Sequence, residues 1–170
     1  MKKVFNLLFL TLLLFTSNSC EKDDLCTPDQ AVTPRLVIEF KDALSPLENK
    51  PVERLQVQEI GSTEFAPLNN EGATTLTSVE NISIPLRTDR NRTSYNFILN
   101  ESGVLNSDNI DFTYNLGEEY VSRACGFRVI YDGLIAVLTP ESTGTQWVQN
   151  VAVVEQSITN NTDIHVQILH

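Results

Sequence analysis

The side chains of this 170-residue sequence with the most chemical potential are two histidines, three cysteines and 22 carboxylates. His165 and His170 lie five residues apart near the C-terminus. A zinc centre needs three or four ligands from His, Cys or carboxylate at suitable spacing, and no Cys or His spacing here supplies them. His165 would point away from the side shared by Ile164, Val166 and Ile168. It therefore reads as a solvent-facing strand residue, and His170 as a frayed terminal one. A serine triad would have to draw on these two histidines, and no Gly-x-Ser-x-Gly elbow accompanies them. A glycosidase needs a matched pair of carboxylates, but the 22 acids single out no pair. Asp108-Asn109-Ile110-Asp111 and Asn161-Thr162-Asp163 carry oxygen ligands without the spacing of a calcium loop, and read as turn chemistry. No glycine-rich phosphate loop occurs. The sequence thus predicts no catalytic residues, no metal and no cofactor, and the chain is expected not to be an enzyme.

The cysteines say more about place than about reaction. Met1-Lys2-Lys3 is a cationic start, Val4 to Phe15 is apolar apart from Asn6 and Thr11, and Thr16-Ser17-Asn18-Ser19 leads into Cys20. A positive start, a short apolar run and small residues before a cut make a secretory signal. The apolar run is too short to cross a hydrocarbon core, which needs about 20 residues. A cysteine immediately after the small residues points to lipoprotein processing: residues 1–19 as signal peptide, Cys20 as the lipidated residue. The stretch resembles a lipobox, with Ser17 and Asn18 where a leucine and a small residue are usual. Relaxed forms of this kind resemble those of Bacteroidota. Plain secretion, with Cys20 a disulfide cysteine, is the alternative. Two or more acyl chains, at about 0.8 kcal/mol per buried CH2, hold a protein on a membrane stably.

Residues 20–33 read as a short acidic tether. Within it, Lys22-Asp23-Asp24 resembles the surface-export signal of such lipoproteins. The expected location is the outer membrane, displayed on the outer surface, with a periplasm-facing position as the alternative. If Cys20 is acylated, Cys26 and Cys125 remain. In an oxidising compartment two leftover cysteines read as a disulfide. The rival reading is a reactive thiol at Cys125, close to Arg123. A bridge would close a loop of about 100 residues, worth up to about 4.7 kcal/mol in the chain-entropy model. It would also shorten the leash, since the six residues from Cys20 to Cys26 reach at most about 20 Å.

Cleavage would remove Lys2 and Lys3, leaving 10 basic against 22 acidic side chains, a net charge of −12. Such a field repels nucleic acid and anionic surfaces, and no basic patch suggests nucleic-acid binding. Arg87, Arg90 and Arg92 cluster around Asp89 at what reads as a hairpin tip. That tip either docks an acidic partner or lipid headgroup, or pairs with neighbouring acids.

The elements that would carry these residues are β-strands. Leu36/Ile38/Phe40, Leu55/Val57, Ile82/Ile84/Leu86, Tyr95/Phe97/Leu99, Ile110/Phe112/Tyr114, Phe127/Val129/Tyr131, Val151/Val153 and Ile164/Val166/Ile168 each repeat with period two. Alternation over short runs marks half-buried strands, and Pro85 suggests a strand end or edge. Ser45-Pro46, Asn49-Lys50-Pro51, Asn69 to Gly72, Thr88 to Asn91, Asn106 to Asn109 and Asp132-Gly133 read as turns. The stretch from Gly61 to Glu80 is polar and weakly patterned, and is expected to be a long loop or irregular hairpin. About eight strands at these separations predict one all-β domain over residues 34–170. The expected form is an antiparallel β-sandwich, immunoglobulin-like in architecture, with an open barrel as the alternative.

Cys20 to Cys26, Thr33 to Phe40, Ile84 to Asp89 and Tyr120 to Tyr131 together resemble a Bacteroidota lipoprotein family catalogued as domain of unknown function 6452. The resemblance implies lipidation at Cys20 and a Cys26–Cys125 pairing, and carries no catalytic residue. The expected role is a non-enzymatic accessory or interaction subunit of an envelope complex. Its partners would be the membrane, through the lipid anchor, and an outer-membrane β-barrel or another lipoprotein. The alternative is a surface module binding glycan or another ligand. That module would want exposed aromatics, whereas most Tyr and Phe sit at core parity and Trp147 is the only tryptophan.

Overall fold

Alternating apolar and polar side chains leave one face of a strand dry and one wet, and two such sheets bury their dry faces together. The computed structural model describes residues 25–27, 32–140 and 145–170. Among them are nine strands: β1 (Leu36–Lys41), β2 (Val52–Glu59), β3 (Leu76–Val79), β4 (Asn81–Ile84), β5 (Arg92–Glu101), β6 (Val104–Ser122), β7 (Gly126–Leu138), β8 (Asn150–Val153) and β9 (Val166–Leu169). The fold is an all-β sandwich. One sheet has the order β4-β1-β9-β8 and the other β3-β2-β5-β6-β7. β1–β4, β8–β9, β2–β3, β2–β5 and β5–β6 pair antiparallel, whereas β1 and β9 run parallel from Ile38 opposite Val166 to Lys41 opposite Leu169. The chain divides into two units, the larger comprising residues 32–119 and 128–170 and the smaller containing Tyr120–Phe127 and residues 25–27.

The core of the larger unit follows the sequence periodicity. Leu36, Ile38 and Phe40 from β1, Leu55 and Val57 from β2, Phe97 from β5, Ile110 and Phe112 from β6 and Ile168 from β9 are fully buried. Phe97 and Phe112 meet edge to face at 6.3 Å, the geometry aromatic quadrupoles favour. Eight of the nine strands coincide with the predicted alternating runs. The ninth, β3, lies inside the stretch expected to be a loop. Its residues Leu76-Thr77-Ser78-Val79 do not alternate in burial, so no period announced it. Only Glu80 separates β3 from β4, where the chain changes sheets, and Ser78, within β3, takes a positive φ of 53°.

Two predicted turns are strand interior. Asn106 to Asn109 lies within β6. The β5–β6 hairpin instead turns at Ser102-Gly103, with φ of 52° and 91°, between the paired Glu101 and Val104. Two successive residues at positive φ give the tight turn whose twist matches antiparallel strands. Asp132-Gly133 likewise lies within β7. Tyr131 and Leu134 are both buried although three residues apart, so the alternation slips by one residue, as at a β-bulge. Gly133 sits at φ 63°, and a Cβ there would come within 3.0 Å of the Asn115 side-chain amide nitrogen. Gly133→Ala is therefore expected to destabilise the protein by about 1–2 kcal/mol, read as a lower midpoint in urea with an unchanged slope. An unchanged midpoint would show that the bulge tolerates a side chain. The edge of β7 beside the bulge is covered: Tyr131 and Ile158 exchange backbone hydrogen bonds, and Leu134 N–H donates to the Gln156 carbonyl.

Between β4 and β5 the chain passes from one sheet to the other, and its carbonyls have no ladder to enter. Three tyrosines serve them. Tyr95 of β5 donates to the Pro85 carbonyl at 2.6 Å, Tyr131 of β7 to that of Leu86 at 3.1 Å, and Tyr114 of β6 to that of Arg87 at 2.8 Å. Thr93 Oγ1 accepts the Arg87 N–H and lies 2.7 Å from the Tyr114 hydroxyl. With the Tyr114 proton given to Arg87, Thr93 is the donor in that contact. Three consecutive carbonyls are thus satisfied by side chains from three different strands, as buried backbone groups require. Arg35 plays a similar part, donating to the Ser83 and Pro67 carbonyls, and burial pushes its pKa down.

Candidate functional site

His165 is buried, not solvent-facing as the strand pattern suggested. The alternation does not reach it, because β9 begins one residue later. It clasps β1 instead: Val37 N–H donates to His165 Nδ1 at 3.1 Å, and His165 N–H donates to the Val37 carbonyl at 3.0 Å. An accepting Nδ1 puts the proton of the neutral ring on Nε2, which is buried with no hydrogen-bond partner among the described residues. Burial lowers the His165 pKa, opposed in part by Asp163 and Glu155. The unfolded chain would then take up the proton first as pH falls below about 6.5. The stabilising contribution is present above that value and is lost as pH falls through the lowered folded pKa. Stability should drop correspondingly in mild acid, and His165→Asn, which keeps an acceptor for Val37, should flatten that slope. An identical slope in the variant would show that His165 is not the group responsible.

His170 is not frayed. Its main chain bonds to Lys41 and Ala43, its carbonyl accepts from Lys50 Nζ, and its ring lies edge-on to Phe40 and Trp147. The two histidines are held by different partners. Asp108 is buried on β6, its Oδ2 accepting the Val148 N–H at 2.7 Å, so it ties β6 to the segment that leads into β8 and is not turn chemistry. Asp111 accepts from Ser94 and Arg92. Asn160 caps its own turn through Thr162 and Asp163, while Asn161 accepts the Arg35 N–H. No group of three or more His, Cys, Asp or Glu able to hold a metal occurs among the described residues.

The arginine cluster is assembled but internally neutralised, and it sits on the crossover from β4 to β5 and into β5, not at a hairpin tip, because those two strands belong to different sheets. Arg87 forms a two-pronged pair with Asp89, at 2.8 and 2.7 Å, and reaches Glu59 at 3.6 Å. Arg90 also contacts Asp89, and Arg92 pairs with Asp111 across β5 and β6. The Arg87 and Arg90 bonds hold the Asp89 carboxyl well below the usual carboxylate range. Each of the three arginines faces a carboxylate, the arrangement expected if the cluster serves itself.

The smaller unit presents a different surface. Cys26 and Cys125 form a disulfide with Cα atoms 4.9 Å apart, so Cys125 is not a free thiol. Cys20, Lys22, Asp23 and Asp24 lie outside the described residues. At the β6–β7 turn, Cys125 N–H donates to Ser122 Oγ. Tyr120 and Phe127 meet edge to face there, ring centres 5.4 Å apart at 66°. Both sit at core parity in the sequence, yet they are 58% and 65% exposed. Leu25, beside the bridge, is 81% exposed. Parity told which face of the strand they occupy, not whether anything covers it. Trp147, the residue a glycan platform would have used, is only 8% exposed and donates its indole N–H to the Phe97 carbonyl.

Neither the curated proteins nor the solved structures contain a match to the chain. A family model matches residues 59–170, from the end of β2 through β9. The matched span holds Cys125, the three carbonyl-binding tyrosines and the arginine cluster, and stops short of Cys26 and β1. On that match, the chain belongs to the family of unknown function DUF6452.

Proposed function

We propose that the chain is an exported lipoprotein, cut before Cys20, acylated there, and held on the outer membrane as a non-enzymatic interaction subunit of an envelope complex. The observation that carries this reading is the Cys26–Cys125 bridge. Six residues from Cys20 to Cys26 span at most about 20 Å, so an acylated Cys20 would keep the β6–β7 turn within that distance of the bilayer. A short leash suits a subunit docked beside another membrane component better than a module that ranges for ligand. Lys22-Asp23-Asp24 supports display on the outer surface, and both histidines, Asp108 and the arginine cluster are engaged in contacts within the fold. The glycan-binding alternative loses its strongest residue, because Trp147 is in the core.

The test is isolation of the native protein from detergent-solubilised outer membranes through a C-terminal tag, with identification of what comes with it. A β-barrel or second lipoprotein in stoichiometric amount is the expected result. A lone lipidated monomer would overturn the subunit reading and leave ligand binding. Protein recovered from the soluble fraction without acyl mass on Cys20 would overturn the anchor itself.

A further inference from the structure

We infer that the β6–β7 turn is a membrane-contact foot, in which Tyr120 and Phe127 seat in the headgroup layer of the bilayer that holds Cys20. The inference rests on the anchor proposed above and adds a second, non-covalent contact to it. Three observations in the smaller unit carry it. Tyr120 and Phe127 meet edge to face while both remain largely exposed. Tyrosine is one of the side chains that gather at membrane–water interfaces, and phenylalanine and leucine are ones that interface-bound segments bury at the headgroup boundary. Next, Cys125 lies two residues before Phe127 and is bonded to Cys26, with exposed Leu25 adjacent. The apolar groups therefore cluster at the end of the proposed leash. Finally, the charge is local and of the opposite sign to the rest. From Tyr120 to Phe127 the only charged residue is Arg123, which is exposed, in a chain whose mature net charge is −12.

Within the turn itself the one charge is basic, while Asp23 and Asp24 belong to the tether bonded to it through Cys26, so the two rings are the main attraction for a phospholipid surface and Arg123 a local one. Its nearest acids in sequence are Glu118 and Glu119, and Glu119 is paired with Arg128. Two rings and one arginine make a weak contact alone. A tether of about 20 Å raises their effective concentration at the membrane toward the millimolar range, where a weak contact is occupied.

The experiment places a reporter in the foot. Full-length, acylated Phe127→Trp protein is reconstituted into phosphatidylcholine vesicles with and without shallow-brominated lipid. The native chain, whose Trp147 is buried, provides the baseline. The expected result is a blue-shifted additional emission that brominated lipid quenches, with the native signal unaffected. Arg123→Glu in the same background should reduce the quenching, and Tyr120→Trp repeats the measurement should position 127 disturb the fold. Acylated, vesicle-bound protein whose added tryptophan stays red-shifted and unquenched at both positions overturns the foot and leaves the anchor standing. Blue-shifted but unquenched emission means that protein, not lipid, covers the turn, and also overturns it. Protein with no acyl mass on Cys20, failing to float with vesicles, overturns the anchor and the foot together.

Discussion

Cys26→Ala and Cys125→Ala are each expected to lower the free energy of unfolding by about 2–4 kcal/mol, and the double variant by no more than either alone. The bridge joins residues 99 apart in sequence, and a cross-link that closes so long a loop removes much of the freedom of the unfolded chain. Both partners belong to the smaller unit, where the bond ties Leu25–Thr27 to the β6–β7 turn. Denaturant titrations with and without reductant make the check. Reductant should bring the wild type down to the variants and leave the variants unmoved. Additive losses in the double variant would mean that each cysteine acts through packing, not through the bond.

The second large effect concerns the tyrosines of the crossover. Tyr95→Phe, Tyr114→Phe and Tyr131→Phe each leave a carbonyl without its donor, and each should destabilise by about 1–3 kcal/mol. The triple variant should lose several kcal/mol, because three neighbouring carbonyls lose their partners at once. Burial raises the pKa of all three hydroxyls above the ordinary tyrosine value of 10. The sign follows from linkage. The unfolded chain would release these protons first, so the contribution is complete below about pH 10 and is lost as pH rises toward the raised folded values. Unfolding followed by far-ultraviolet circular dichroism from pH 8 to 12 should show a steep fall for the wild type above pH 10. The triple variant should show a shallower one. A fall of equal steepness would assign the alkaline transition to other groups.

The sandwich was legible because burial on one face writes itself as period two, and the predicted runs from Leu36 to Ile168 gave eight strands. The pattern failed where local rules stopped applying. β3 pairs with β2 through its backbone while its side chains do not alternate. The Asp132-Gly133 pair has turn chemistry, but in an unbroken strand it supplies the positive φ of a bulge. His165 was read by the parity of a strand that begins only at Val166. The cysteine pairing could be reached by counting, since the chain offers few thiols. The tyrosine contacts could not be, because the carbonyls they serve lie 10, 27 and 45 residues away in sequence. Exposure of Tyr120 and Phe127 was equally hidden. Alternation records a face, and only the three-dimensional structure says whether a second layer lies over it.

The parallel pairing of β1 with β9 sets a clock on biosynthesis. Val37 and His165, which clasp each other, are separated by 128 positions. At about 5–20 residues per second, a ribosome would need roughly 6–26 s after making β1 to deliver its neighbour. Until then β1 can join β4, but its other edge has no strand to pair with, and the β4-β1-β9-β8 sheet cannot close. Contacts of such long range also slow folding after release.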